Sequence, residues 1–219
     1  MQRRQSGMRV TRLHRILAGL ALGAVLAAGA VFAFWGQDDD PVGDVAAPGG
    51  ASVEAGFSRD MAVHHQQAVE MSLIVRDRTR NEEVRTLAYD IINTQAAQRG
   101  MMLGWLEMWG LDKSTNQAPM AWMGHSSAFQ AKDGSLMPGM ATNTQIDQLN
   151  KARGEEAEIL YLQLMTAHHK AGVDMARAAE KAAKDSDVKR LAQSMVNGQQ
   201  AEMDLMATML TQRGAAAAR

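Results

Sequence analysis

One pattern occurs twice in this chain, 104 residues apart, and it constrains the fold more than any other feature. Phe57-x-x-x-Met61-x-x-His64-His65-x-x-Ala68-Val69-Glu70-Met71 returns as Tyr161-x-x-x-Met165-x-x-His168-His169-x-x-Gly172-Val173-Asp174-Met175. The register then holds without a gap. Val84, Leu87, Ala88, Asn93, Gln95, Ala97, Met102 and Leu106 recur as Val188, Leu191, Ala192, Asn197, Gln199, Ala201, Met206 and Leu210. Thirteen of 50 aligned positions are identical, which is the mark of an internal duplication.

Each copy reads as two helices. Phe57, Met61, His64, Ala68, Met71 and Val75 recur at steps of three and four, one helical face. Asn81 predicts an N-cap for the next helix, with Glu82 and Glu83 in its first turn. Gly110 predicts its end. In the second copy the last helix is expected to start at Asp185 or Ser186 and to stop at Gly214. The connection between copies holds Pro119, Pro138 and several glycines and is expected to be irregular. Thr142 with Gln145 predicts a capping box for a short helix through Lys151, and Gly154 a kink before the long helix that follows. The fold class is therefore all-α: a four-helix bundle of two helical hairpins, with repeat one at 57–110, a crossover at 111–154 and repeat two at 155–213, within a domain at 56–213.

The N-terminus is different in kind. Arg3, Arg4, Arg9, Arg12 and Arg15 precede an uncharged run of 21 residues, Ile16 to Gly36. At 1.5 Å per residue that run reaches roughly 31 Å, about one hydrocarbon core. Residues 1–36 are thus expected to form a basic flank and a single transmembrane helix, with the N-terminus cytoplasmic and the domain outside. The alternative is a secretory signal cleaved near Ala28-Gly29-Ala30, leaving a secreted protein. Residues 37–55, rich in Asp, Pro, Gly and Ala, read as a flexible linker. Of 23 lysines and arginines, five lie in this leader. The remaining 18 face 24 acids, a net charge near −6, which argues against nucleic acid as a partner. With no cysteine the chain has neither disulfides nor thiolate metal sites.

The chemistry falls on the first helix of each copy. On a helical wheel Met61, His64 and Met71 share one face within about 80°, and His65 flanks it. Met165, His168, His169 and Met175 repeat the arrangement. Di-iron bundles use Glu-x-x-His, whereas this chain has Met-x-x-His. Thioether with imidazole is a soft donor set that favours Cu(I), and by the same logic Ag(I), over iron or manganese. The candidate metal ligands are therefore Met61, His64, His65, Met71, Met165, His168, His169 and Met175. Gln95, Gln199, Met120, Met123, His125, Met137 and Met140 are possible auxiliaries. Core roles compete with this reading. Methionine on an apolar stripe is also ordinary filler, and His64 and His168 can serve as core histidines bonded to Gln95 and Gln199.

The His-His pairs followed by Met, together with Met137-Pro138-Gly139-Met140-Ala141-Thr142 and Leu164-Met165-x-x-His168-His169, resemble the family known as domain of unknown function 305. The resemblance covers about residues 55–212. It implies a ferritin-like four-helix fold, frequent export and, for some members, copper binding or tolerance. The expected function is extracytoplasmic binding of copper, Cu(I) in preference, for buffering or sequestration. The alternative is a metal-free helical interaction or structural module. A redox enzyme would need an open metal position and substrate access, and the sequence indicates neither.

Overall fold

Side-chain caps start four of the five α-helices among the described residues. The computed structural model describes residues 47–124 and 129–216. The Ile16–Gly36 run and His125 lie outside the described residues. α1 spans Val53–Arg78 and α2 Glu82–Met108. α3 spans Asn143–Lys151, α4 Gly154–Ala182 and α5 Ser186–Gln212. A single 3-10 turn, Ala121–Met123, interrupts the crossover. The described residues contain no strand, and none of their helices is long and apolar enough to cross a membrane.

The caps follow the expected chemistry. Asn81 accepts from the Val84 amide at 3.1 Å, and Thr142 with Gln145 forms a full capping box. Asp185 is the cap of α5, accepting from Asp187 and Val188. Gly110 and Gly214 take positive φ at the two hairpin-closing ends. One boundary differs from the sequence reading. α1 begins inside the segment read as linker, because Ser52 accepts from the Ala55 amide and nucleates a turn earlier. Gly154, expected as a kink before the long helix, is the first residue of α4 with φ of +57°, and α3 and α4 are separate helices there.

α1 packs on α2 and α4 on α5, and the hairpins meet chiefly through α1 and α4. Two buried acids, again 104 residues apart, fix their relative direction. Glu54, at the start of α1, accepts from the Lys184 and Asp185 amides in the turn of the second hairpin. Glu158, in the first turns of α4, accepts from the Thr79 hydroxyl in the turn of the first hairpin and from Arg213 Nε at 2.8 Å. Each central helix therefore starts where the other hairpin turns, so α1 and α4 run antiparallel about a pseudo-twofold.

That symmetry divides the core in two. Met71 and Val75 pack with Tyr161, Leu162, Met165 and Met206 in one cluster. Phe57 and Met61 pack with Val173, Met175 and Met102 in the other. The histidine pairs fall between the clusters on both central helices.

The crossover is held down at two places. Asp60 accepts from the Met120 amide at 2.7 Å and from Trp122 Nε1 at 2.9 Å. Trp122 meets Phe57 edge-on and covers Gly56, where a Cβ would come within 2.5 Å of the indole. Further along, Gln67 grips Ala141 through both backbone groups, at 2.6 and 2.9 Å. Between these points Gly139 lies against the Ala167 carbonyl and the His168 Cα, so closely that any side chain would collide. Residues 137–141 thus form a strap across the α1–α4 seam.

Candidate metal centre

All eight principal candidates lie in the buried seam: Met61, His64, His65 and Met71 on α1, and Met165, His168, His169 and Met175 on α4. The inner rings meet across the pseudo-twofold. His64 and His168 have ring centroids 3.7 Å apart at 31°. His168 Nε2 donates to the His64 backbone carbonyl at 3.0 Å. The outer rings turn toward their own hairpin partners, because one residue on a helix adds about 100° of rotation. His65 Nε2 lies 2.8 Å from Gln98 Oε1, and His169 Nε2 lies 2.6 Å from Glu202 Oε2.

Those oxygens accept, so Nε2 of His65, His168 and His169 carries a proton, and in the neutral ring Nδ1 carries the lone pair. All three Nδ1 atoms are buried without a partner, as are both ring nitrogens of His64. Buried polar atoms are nearly always satisfied, and each orphan costs about 1–3 kcal/mol. Up to four of these five nitrogens can offer lone pairs, because a neutral His64 keeps a proton on one ring nitrogen, and three sit on rings whose Nε2 is anchored; these are the free donors that a bound cation would need.

The rings are also in the protonation state such an ion needs. Burial pushes His64 down to about 3, assisted by the neighbouring His65 and His169. Burial holds His65 down to about 4, against the Gln98 bond, and takes His168 well below the usual imidazole range. These three are neutral at pH 7 and have no proton to release on binding.

The methionines sort by cluster. Met61 and Met175 flank the rings at one end, while Met71 and Met165 flank them at the other. Of the crossover candidates, Met120 and Met137 are buried in the Met61–Met175 cluster, and Met123 and Met140 are half-buried against it. Among the described residues no three His, Asp or Glu side chains converge as a ready metal site. The donor set on offer is imidazole with thioether.

Gln95 and Gln199 do not bond to the histidines as expected. Both amide atoms of Gln95 and the Oε1 of Gln199 are buried without partners. Gln199 lies on Gly172, where a Cβ would come within 2.5 Å of its Oε1. The contacts go instead to Gln98 and Glu202, one turn further along, which the sequence reading missed. The signal was present, since Gln98 plus 104 is Glu202. The pair is similar rather than identical, so a search for identities passes over it. Tyr161 is the counterpart of Phe57. Its hydroxyl is 2.9 Å from Ser72 Oγ, and burial pushes its ionisation well up.

The family described as Domain of unknown function (DUF305) matches residues 54–210. A DUF305 protein from Streptomyces coelicolor, assigned as secreted, is 51% identical with a TM-score of 0.72, covering 78% of this chain and 99% of its own. A DUF305 fragment from Deinococcus radiodurans is 28% identical with a TM-score of 0.60, covering 73% and 96%. CopM in its Cu(I)-bound form is 20% identical with a TM-score of 0.55, covering 74% and 96%, which speaks to fold alone. No curated protein matches the chain.

Proposed function

The chain belongs to the DUF305 family, and on that premise we propose that its helical domain holds a soft metal ion, Cu(I) or Ag(I), between the two histidine pairs. The observation that carries the reading is the set of five unpartnered ring nitrogens on four buried histidines, bracketed by Met61, Met71, Met165 and Met175. The burial of every donor suits retention rather than turnover, so the role is buffering or sequestration. CopM, which shares the fold, has been solved in Cu(I)-, Cu(II)- and Ag-bound forms, and that guides the choice of probes.

The domain acts outside the cytoplasm in this reading. The arginine-flanked run before Gly36 supports export, as does the relative assigned as secreted. The run is either retained as an anchor or removed. Membrane fractionation after alkaline washing, with N-terminal sequencing of the mature protein, distinguishes the two.

An anaerobic competition titration with Cu(I), Ag(I) and Zn(II) tests the binding. Cu(I) and Ag(I) should bind stoichiometrically and more tightly than Zn(II). His64→Ala with His168→Ala should abolish the tightest site while the helical circular dichroism persists. Replacing Met120, Met123, Met137 and Met140 should lower capacity more than peak affinity. A double-histidine variant that binds like the parent would move the site to the crossover. A parent that binds nothing would leave the metal-free module.

A further inference from the structure

The two halves of the centre anchor their outer histidines at equivalent positions but with different charge. His65 Nε2–H is held by a neutral amide, Gln98, and His169 Nε2–H by a carboxylate, Glu202. The His169 ring is fully buried, while the Glu202 side chain keeps 21% of its surface in solvent. The Glu202 carboxylate therefore stands at the edge of the bundle, one imidazole away from the seam. Among the described residues it is the only carboxylate bonded to a histidine. Among the described residues no lysine or arginine forms a salt bridge with Glu202, and Tyr161, which lies in its field, is bonded to Ser72.

Resting on the metal-binding reading above, we propose that Glu202 is the positioning residue that sets charge selectivity, making the His169 half the part of the centre that tolerates a divalent ion while the His65 half, with Gln98, favours a monovalent one. The donors in the seam are imidazole nitrogens and thioethers, which carry no negative charge, so an ion held there would bring its whole charge into a low-dielectric interior. A carboxylate behind one ligand offsets part of that charge and makes the imidazole a stronger donor. The offset is larger for a 2+ ion than for a 1+ ion. Glu202 does not itself touch the ion in this reading, since its Oε2 is occupied by the ring N–H.

The duplication supplies its own control. Glu202→Gln gives the second half the amide of the first, and Gln98→Glu does the reverse. Zn(II) and Ag(I), both redox-inert, serve as the divalent and monovalent probes. Glu202→Gln should weaken Zn(II) binding by roughly 10- to 100-fold, the range for loss of such a partner, and Ag(I) by only a few-fold. Gln98→Glu in that background should restore the divalent affinity. Long-range ¹H–¹⁵N spectra of the metal-free protein give an independent readout: His169 should be the Nε2–H tautomer in both the parent and Glu202→Gln. An Nδ1–H tautomer for His169 in the parent would overturn the proposal, because the lone pair would then face Glu202. Equal losses for Zn(II) and Ag(I) would also overturn it, showing a merely structural carboxylate. If the parent binds Ag(I) and Zn(II) but the variant keeps their ratio, this inference fails and the metal-binding reading stands. If the parent binds neither ion, both fall.

Discussion

The first and second hairpins are the same device built with different outer parts. Their inner features coincide: Met61 with Met165, His64 with His168, Met71 with Met175. What differs stands behind or beside those features. Phe57 becomes Tyr161, Ala68 becomes Gly172, and Gln98 becomes Glu202. The latches differ too. Glu54 takes only backbone amides, whereas Glu158 takes a threonine hydroxyl and a guanidinium. The duplication thus keeps the residues that face the seam. It lets the two halves diverge in what orients those residues and in how tightly each half is latched.

The largest separation between the halves should appear in the latches. Glu158→Gln leaves Arg213 buried without its counter-charge and should cost about 3 kcal/mol in urea unfolding. Glu54→Gln retains an acceptor for the same amides and should cost about 1 kcal/mol. Equal costs would mean that the guanidinium adds nothing.

Acid should act next most strongly. His64, His65 and His168 bind protons more weakly folded than unfolded, so their contribution is intact above an unfolded value of about 6.5. It is lost progressively as pH falls toward the folded values, about 4 for His65 and about 3 for His64. By pH 5 each such ring should cost on the order of 2 kcal/mol. His65→Gln should flatten the slope of stability against pH in that window, and an unchanged slope would place the titration elsewhere.

A smaller contrast concerns the residue one turn beyond each inner histidine. Gly172→Ala pushes a methyl to 2.5 Å from Gln199 Oε1 and should destabilise by about 1–2 kcal/mol. Ala68→Gly, in the other half, removes a buried methyl without a clash and should cost about 1–2 kcal/mol from the helix penalty and the lost burial. Smallest of all, Tyr161→Phe copies the first half into the second and strands the Ser72 hydroxyl, for about 1 kcal/mol in thermal unfolding. Phe57→Tyr should be no better than neutral, because its ring is buried against Trp122 in an apolar cluster.

The legible and illegible parts of this molecule follow the same division. Helices, caps and the buried His–Met stripe were readable, because periodicity and cap chemistry are local. Asn81 and Thr142 act where the sequence placed them. The outer partners were not readable in the same way. Gln95 and Gln199 looked the better candidates because they are identical and sit on the apolar stripe. His65 and His169 point off that stripe, and their bonds land on its edge, at Gln98 and Glu202. The crossover methionines looked like loop residues. Asp60 and Gln67, distant in sequence, draw the segment onto the bundle and turn Met120 and Met137 into core. Glu54 and Glu158 bond across 130 and 79 residues, beyond any local pattern.

The reciprocal latches also govern the order in which the chain can become a folded body. During vectorial synthesis the first hairpin emerges well before the turn at Lys184 that closes its Glu54 latch. The loop closed by that contact spans 130 residues, so its entropy is spent only near the end. Until then α1 exposes the apolar face on which α4 will pack, together with two unprotected histidines. A chain truncated after the first hairpin would keep that face bare and should aggregate or be degraded rather than persist as half a bundle.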